Sequence, residues 1–271
     1  MIRIFSILAG LFFSAALAWS LLLGVINVSK DGLPHTVEKA FHEHPKELHL
    51  ASDGFFGKFD KQQLQRGFEV YSKVCASCHA IKHVAFRDLE ALGYNEAEVK
   101  AIAAAQTVAG KDPLTGAIKD RPGLASDHFP PVVYAGTGNP PDLSLITKAR
   151  HGGAAYVYSL LTGYEEQPAK LLKQFPDAKT PDGLHYNPYF ANLNIAMPAP
   201  LTSEGQVTYS DGTKATVDQM AKDVSAFLVW TAEPKLEKRH QTGLWWIGFL
   251  LFATVLAYMS YRNIWAEKKG H

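Results

Sequence analysis

Five consecutive residues carry the most specific chemistry in this sequence: Cys75, Ala76, Ser77, Cys78 and His79. Their pattern, Cys-x-x-Cys-His, is the attachment motif for a c-type haem. Two thiols one helical turn apart can each add across a vinyl group of the same porphyrin. The histidine that follows then lies under the ring, where its neutral imidazole can bind the iron. The motif predicts one covalent haem c, attached at Cys75 and Cys78, with His79 as an axial ligand to the metal.

Two other kinds of site also use a Cys-x-x-Cys pair. A structural zinc site needs four ligands, usually with more cysteines, and this chain has only two cysteines. A thioredoxin-like dithiol is expected in a βαβ context, whereas Cys75 ends a helical pattern that includes Leu64, Phe68 and Tyr71. A non-haem redox or metal protein is therefore the weaker alternative, and a pyridine haemochrome spectrum of c type would exclude it.

A methionine is the best candidate for the opposite axial position. Of the four methionines, Met1 is the initiator, Met259 lies in an apolar C-terminal run, and Met220 falls in a helical pattern, where methionine usually fills the core. Met197 lies in an irregular, proline-rich segment and has no such role. By elimination we predict Met197 as the sixth ligand, and a thioether ligand raises the potential. A second histidine in its place remains the main alternative.

Four further residues are candidates for contacts with the porphyrin. The two propionates call for charge-assisted donors when they are buried, and Arg150 and Tyr156 lie in a suitable segment. A surface salt bridge and a core tyrosine explain these two residues equally well without further information. Pro140 and Pro141 offer a rigid apolar edge that can press on the ring.

The elements that must position these residues are mainly helical. Asp60 is a predicted N-cap of the helix that ends at Cys75, Asn95 caps a predicted helix from Glu96 to Val108, and Thr216 caps a helix that ends before Pro234. Leu143 to Gly163 predicts two short helices separated at Gly152-Gly153. A small β-hairpin is predicted from Gln206 to Thr216, around the turn dipeptide Asp211-Gly212. The remaining segments are long loops rich in glycine and proline.

Both ends of the chain are apolar. The run from Ile4 to Ile26 is either a signal peptide with an A-x-A site at Ala16-Leu17-Ala18 or a helix long enough to span a bilayer, and the signal peptide is the favoured interpretation. Thr242 to Tyr261 predicts a transmembrane helix with aromatic residues at both interfaces. We predict a leader or membrane helix at 1–27, a periplasmic haem domain at 28–240, a transmembrane helix at 241–262 and a short cytoplasmic tail at 263–271.

Composition and charge place few limits on the partners. The chain has 271 residues, 47% of them apolar, and a net charge of +1. No nucleic-acid partner is implied by that balance.

The histidine-rich segment 35–49 can bind a metal, but a solvated connector packed over the domain is the favoured interpretation. Because haem is attached to such motifs outside the cytoplasmic membrane, we expect the haem domain on the periplasmic side of the cell inner membrane.

Several segments together resemble cytochrome c1, the haem subunit of the cytochrome bc1 complex, from about Phe59 to the C-terminus. They are Val74-Cys75-Ala76-Ser77-Cys78-His79, Val84-Ala85-Phe86-Arg87-Asp88-Leu89, Pro140-Pro141-Asp142-Leu143-Ser144, Ala149-Arg150-His151-Gly152-Gly153, Tyr156, Leu160-Leu161-Thr162-Gly163-Tyr164, Asn187-Pro188-Tyr189-Phe190, Ala196-Met197 and Ala221-Lys222-Asp223-Val224. The resemblance implies His79 and Met197 as axial ligands, and Arg150 and Tyr156 near a propionate.

The same resemblance implies a function and a set of partners. The chain would be an electron-transfer subunit of a quinol–cytochrome c reductase, and it would not bind quinol itself. The Rieske iron–sulfur protein would be its electron donor, a cytochrome c its acceptor, and cytochrome b its membrane partner in a dimeric complex. The alternative is the haem c subunit of another terminal respiratory enzyme, such as a nitric oxide reductase or an oxidase, which usually has a shorter haem domain.

Overall fold

The architecture is mainly helical, as predicted. The structure is a computed structural model, and it describes residues 2–32, 36–111, 116–136 and 138–266. The helices are α1 (Ile2–Asp31), α2 (Val37–Phe41), α3 (Lys61–Val70), α4 (Glu96–Ala104), α5 (Ile146–Ala149), α6 (Gly153–Leu161), α7 (Ala169–Gln174), α8 (Val217–Ala232) and α9 (Leu236–Ala266). A π-helical turn (Tyr71–Cys75) extends α3, and a 3-10 helix covers Phe86–Leu92.

Two small antiparallel pairs of strands complete the fold. β1 (Thr107–Lys111) pairs with β2 (Ile118–Pro122), with Thr107 opposite Pro122 and Lys111 opposite Ile118. β3 (His185–Tyr186) pairs with β4 (Asn194–Ile195). The predicted helix from Glu96 to Val108 is therefore too long, because α4 ends at Ala104 and the chain enters β1 at Thr107.

The predicted hairpin from Gln206 to Thr216 is wrong in its position. The turn is present, since Gly212 has φ +76°, but neither flank forms a strand. Side chains from α3 and the turn that follows it occupy the backbone groups of this segment instead. Lys73 Nζ donates to the carbonyl of Thr208 (3.0 Å), and a Glu69 carboxylate oxygen accepts from the backbone N–H of Ser210 (3.3 Å). With those groups occupied, the segment packs as an irregular loop.

The core forms where α3 crosses α8. At Gly67 the two helices approach so closely that a Cβ would lie 2.6 Å from the Cβ of Phe227 and would overlap the carbonyl oxygen of Asp223. Aromatic rings surround this crossing: Phe68 and Tyr71 each lie 5.7 Å from Phe227 between ring centroids. Edge-on and tilted pairs of this kind add to the free energy gained by burial. Because α3 leads directly into the Cys-x-x-Cys-His motif, the crossing fixes the start of that motif.

A buried ion pair joins the same two helices. The Asp223 side chain is fully buried, and its carboxylate accepts from Arg66 Nε at 2.9 Å. Gln63 Nε2 and Gln219 Nε2 donate to the other carboxylate oxygen at 3.2 and 2.9 Å. Burial of the charge is costly, but both carboxylate oxygens accept hydrogen bonds, as such pairs require. Burial acts to lower the pKa of Arg66, but the hydrogen bonds that its guanidinium donates to Asp223 and Asp211 outweigh this and raise that pKa.

The segment after α2 packs along the domain. The backbone N–H of Lys46 donates to Ser159 Oγ (2.7 Å), and Lys46 Nζ donates to the carbonyl of Thr162 (3.1 Å). His42, His44 and His49 are exposed, and His35 lies outside the described residues. Within the described ranges, no group of three or more His, Cys, Asp or Glu side chains is placed to hold a metal ion. The hydrogen bonds from Lys46 to Ser159 and Thr162 favour the interpretation of this segment as a connector.

Within the residues that the structure describes, two helices are long and apolar enough to cross a membrane: Ile2–Lys30 within α1, and α9. α9 contains the predicted span at 241–262 and begins five residues earlier, at Leu236. Neither apolar window is buried against the rest of the protein. Three residues separate α8 from α9, so α9 leaves the domain directly from its central helix.

Candidate haem site

The Cys-x-x-Cys-His motif forms one compact turn. The π turn closes with a hydrogen bond from the N–H of Ala76 to the carbonyl of Tyr71 (2.8 Å). The carbonyl of Cys75 then accepts from both Cys78 N (3.1 Å) and His79 N (2.9 Å). The two sulfur-bearing residues and the histidine therefore share one carbonyl and one turn, as attachment to a single porphyrin requires.

The two thiols are free and half-buried. Burial, together with the neighbouring Cys78, raises the pKa of the Cys75 thiol to about 12. The Cys75 side chain packs against the hydrophobic core. A protonated thiol in such a setting is a poor thiolate ligand or redox nucleophile, but it suits a sulfur that ends as a neutral thioether.

The imidazole of His79 is oriented for metal binding. Its Nδ1 lies 2.7 Å from the carbonyl oxygen of Pro141. A carbonyl oxygen can only accept, so Nδ1 carries the proton and the lone pair of the neutral ring is on Nε2. A histidine that binds a metal usually donates its other ring N–H to a carbonyl or carboxylate in this way. The residues present thus fit a haem whose iron is bound by Nε2 of His79.

A tyrosine holds the other end of the motif. Tyr71 is buried, and its hydroxyl donates to the carbonyl of His79 (3.0 Å). Burial raises the pKa of this hydroxyl well above its usual range, so it remains a donor. The sequence pattern places Tyr71 only on the apolar stripe of a helix and gives no sign of this hydrogen bond.

Met197 lies half-buried in a loop whose backbone is fixed by another tyrosine. The hydroxyl of Tyr164 donates to the carbonyl of Met197 (3.0 Å). Met220, by contrast, is fully buried in the core, as its helical position predicted. Tyr164 has no motif of its own that would have identified it as a partner of Met197.

The segments that carry His79 and Met197 are close together. The loop at 138–141 contacts both of them: Pro141 meets the imidazole of His79, and a Cβ on Gly138 would lie 3.5 Å from the Cβ of Ala196. Three residue steps separate Gly138 from Pro141 and can span at most about 11 Å. Although 118 residues separate His79 and Met197 along the chain (197 − 79), the fold brings their segments to opposite ends of one short bridge.

Arg150 and Tyr156 lie beside each other near the Met197 side. Burial raises the pKa of the Tyr156 hydroxyl, and the Arg150 guanidinium beside it acts in the opposite direction. Arg150 is exposed, and its Nη1 donates to the carbonyl of the neighbouring Ala149 (3.1 Å). Tyr156 in turn lies near Tyr164, whose own pKa is raised by burial first and by Tyr156 second. An exposed guanidinium next to a half-buried phenol suits a carboxylate at the protein surface.

Asp142 does not cap the next helix, because α5 begins at Ile146, after the N-cap position Leu145. The carboxylate of Asp142 instead accepts from the backbone N–H groups of Lys82 (3.0 Å) and Ser144 (3.0 Å). The aspartate accepts from a donor only two residues ahead and turns the chain there, so the helix starts later. His83, four residues after His79, is exposed.

Comparison with known proteins agrees with this geometry. A model of the Cytochrome C1 family matches residues 50–268. The chain is 42% identical to "Cytochrome c1-2, heme protein, mitochondrial" of Solanum tuberosum, over 92% of this chain and 94% of that protein. It is 40% identical to "Cytochrome c1" of Rhodospirillum rubrum, over 80% of this chain and 85% of that protein. It is 41% identical to "Cytochrome b-c1 complex catalytic subunit, mitochondrial" of Candida albicans, over 74% of this chain and 70% of that protein. With this match across most of its length, the chain belongs to the cytochrome c1 family.

Proposed function

We propose that this chain is the membrane-anchored, mono-haem subunit of a cytochrome bc1 complex, passing electrons from the Rieske iron–sulfur protein to a cytochrome c. The observation that carries this proposal is the hydrogen bond from His79 Nδ1 to the carbonyl of Pro141 (2.7 Å), which orients the motif histidine as an iron ligand. The bound haem supplies reversible one-electron chemistry. The protein holds the iron and exposes one edge to its partners.

Each predicted site residue has a proposed role. Cys75 and Cys78 hold the porphyrin by thioethers, His79 and Met197 bind the metal, and Pro141 fixes the imidazole through its carbonyl. Arg150 and Tyr156 bind a propionate. Family membership and the compact turn at the motif support the first three roles. The bridge from Gly138 to Pro141 supports the pairing of His79 with Met197.

The names of the relatives support the membrane partner. The Candida albicans relative is named as a subunit of the cytochrome b-c1 complex. A Bradyrhizobium diazoefficiens relative, "Cytochrome b/c1", is 42% identical over 79% of this chain, which covers 34% of that protein. We infer that cytochrome b is the membrane partner, and that the assembly is dimeric and also holds the Rieske protein. Isolation of the native membrane complex with identification of its subunits tests this.

The proposed domain organisation puts the haem domain, 28–240, in the periplasm of a cell with this complex in its inner membrane. α9 is the C-terminal anchor and the tail after it is cytoplasmic. Arg262 lies in the last part of the helix on that side, in agreement with the positive-inside rule. Trp245 and Trp246 at one end, and Tyr258, Tyr261 and Trp265 at the other, are exposed, as expected for aromatic belts in the two interfaces.

We propose that α1 is retained as a second membrane helix, contrary to the signal peptide favoured from the sequence. α1 continues without a break through Ala16-Leu17-Ala18 to Asp31. Cleavage there would leave an N-terminus beginning at Trp19 and followed by Leu21 and Leu22, all of which are exposed in the structure. The apolar run also exceeds the 7–15 residues or so of a signal core.

Two measurements test the proposal. A pyridine haemochrome spectrum of the purified chain is expected to be of c type, with one haem per chain, and a colourless sample would overturn the function. The intact mass of the purified chain is expected to include residues 1–18 together with one haem. A mass that begins at Trp19 would overturn retention of α1 and leave the haem assignment standing.

A further inference from the structure

The carbonyl that orients His79 belongs to a segment that cannot anchor itself through its own donors. Pro140 and Pro141 have no backbone N–H, so neither residue can tie this stretch to the rest of the protein through a donated hydrogen bond. The acceptor for the imidazole is nevertheless held 2.7 Å from Nδ1. The residues that follow it supply the hydrogen bonds that fix its position.

Those residues tie the segment to the chain just after the motif. Three hydrogen bonds cross between the two stretches: Leu143 N to Ala80 O (2.8 Å), Lys82 N to Asp142 Oδ2 (3.0 Å) and His83 N to Ser144 Oγ (3.1 Å). The stretch after the motif begins with Ala80, which follows His79 directly. The stretch that it meets begins with Asp142, which follows Pro141 directly. The three bonds thus fix the imidazole and its acceptor relative to each other.

The Asp142 carboxylate accepts a hydrogen bond at each of its two oxygens. Oδ2 accepts from Lys82 across the gap, and Oδ1 accepts from the N–H of Ser144 two residues ahead (3.0 Å). Ser144 is fully buried, so the turn is held on the protein side of the loop. A neutral amide in the place of Asp142 can accept with one end only.

We propose that Asp142 is a positioning residue for the axial imidazole of His79, acting through the carbonyl of Pro141; this inference rests on the proposed function. The hydrogen bond from Nδ1 makes the imidazole a stronger donor to a metal. A stronger donor favours the ferric state and lowers the midpoint potential. Loosening of the Asp142 ties weakens that bond, so the potential rises.

The test uses Asp142→Asn in the full-length chain within its membrane complex. We expect an unchanged c-type haemochrome, an unchanged haem content and an upward shift of the midpoint potential in a redox titration. Asp53→Asn is the matched control, because the Asp53 carboxylate also accepts from a loop N–H, that of Leu50 (2.8 Å), outside these ties. The potential of the control is expected to equal that of the parent.

The outcomes separate this inference from the proposed function. A parent protein without a c-type haemochrome overturns the function itself. A folded Asp142→Asn variant with intact haem and the parent potential overturns the role of Asp142 alone. If Asp142→Asn does not fold, Ser144→Ala replaces it, since it removes only the acceptor for His83. A smaller upward shift then supports the proposal, and no shift overturns it.

Discussion

Gly67→Ala tests whether the close crossing of α3 and α8 holds the motif in place. The added Cβ would lie 2.6 Å from the Cβ of Phe227. An ordinary van der Waals contact begins near 3.4 Å, so the helices must separate locally by at least 0.8 Å (3.4 − 2.6). The carbonyl of Asp223, which the new methyl group would also overlap, is backbone and cannot turn aside.

The expected cost follows from two opposing terms. Overpacking typically costs about 1–3 kcal/mol, and we take the upper end because the obstacle is backbone. Separation also opens gaps at the Phe68–Phe227 pair, where a gap of about 0.5–1 Å loses a quarter to a half of the dispersion attraction. Alanine regains about 1 kcal/mol of helix propensity. The net loss in free energy of unfolding is about 2 kcal/mol, or roughly 4–8 °C in Tm for a domain of this size.

Thermal unfolding followed by far-ultraviolet circular dichroism measures this loss. Gly243→Ala in α9 is the matched control, because a Cβ there meets nothing within 4 Å. The control is expected to keep the Tm of the parent or to exceed it, because only the gain in helix propensity applies there. A Gly67→Ala protein that also keeps the parent Tm within about 1 °C, on the scale expected for a neutral surface change, would refute the argument that the crossing is too tight for a methyl group.

Further substitutions address the haem ligands and an exposed loop. Met197→Leu is expected to lower the midpoint potential sharply and to change the spin state of the haem iron. Met220→Leu is the control at a fully buried position, and it is expected to keep the potential and to cost less than about 1.5 kcal/mol of stability. Equal potentials in the two variants would remove Met197 from the site. Cys75→Ser is expected to abolish the normal two-thioether haemochrome, and an unchanged spectrum would contradict attachment at Cys75. Hydrogen bonds from Arg121 (2.7 and 2.9 Å) hold the pKa of Asp127 below its usual value. The ionised carboxylate therefore stabilises the fold above pH about 4, and this contribution is lost as the pH falls through the lowered pKa. The Tm difference between the parent and Asp127→Asn is therefore expected to be small, to be present at neutral pH and to vanish in acid; a difference that persists in acid would contradict the assignment.

The helix starts could be predicted because their signals are local. Asp60 accepts from the N–H of Gln62 (3.0 Å), and Thr216 accepts from the N–H of Gln219 (3.0 Å), so both predicted N-caps are confirmed. Asn95 and Glu98 form the reciprocal pair of a capping box. In each case the donor lies two or three residues from the acceptor, and the sequence alone contains both partners.

The hairpin failed because its hydrogen-bond partners are distant. Val207 and Tyr209 alternate with polar residues along the sequence and are both buried, so their alternation marks the buried face of the segment. Alternation says nothing about what satisfies the backbone, and here Lys73 and Glu69, more than 130 residues earlier, supply the partners. β1 and β2 could not be predicted from the sequence, because polar and apolar residues do not alternate regularly along them. Their register depends on pairing across the loop between them.

The site shows the same division between local and distant information. The motif predicts which residues meet the haem, and the spacing of Cys75, Cys78 and His79 follows from one turn of helix. The hydrogen bonds that hold His79 do not follow from the motif. The Tyr71 hydroxyl donates to the backbone carbonyl of His79, and the Pro141 carbonyl accepts from its imidazole. Since the backbone and the ring of His79 are each held by a group outside the motif, changes at those groups should alter the potential without releasing the haem, whereas changes at the cysteines should weaken its attachment.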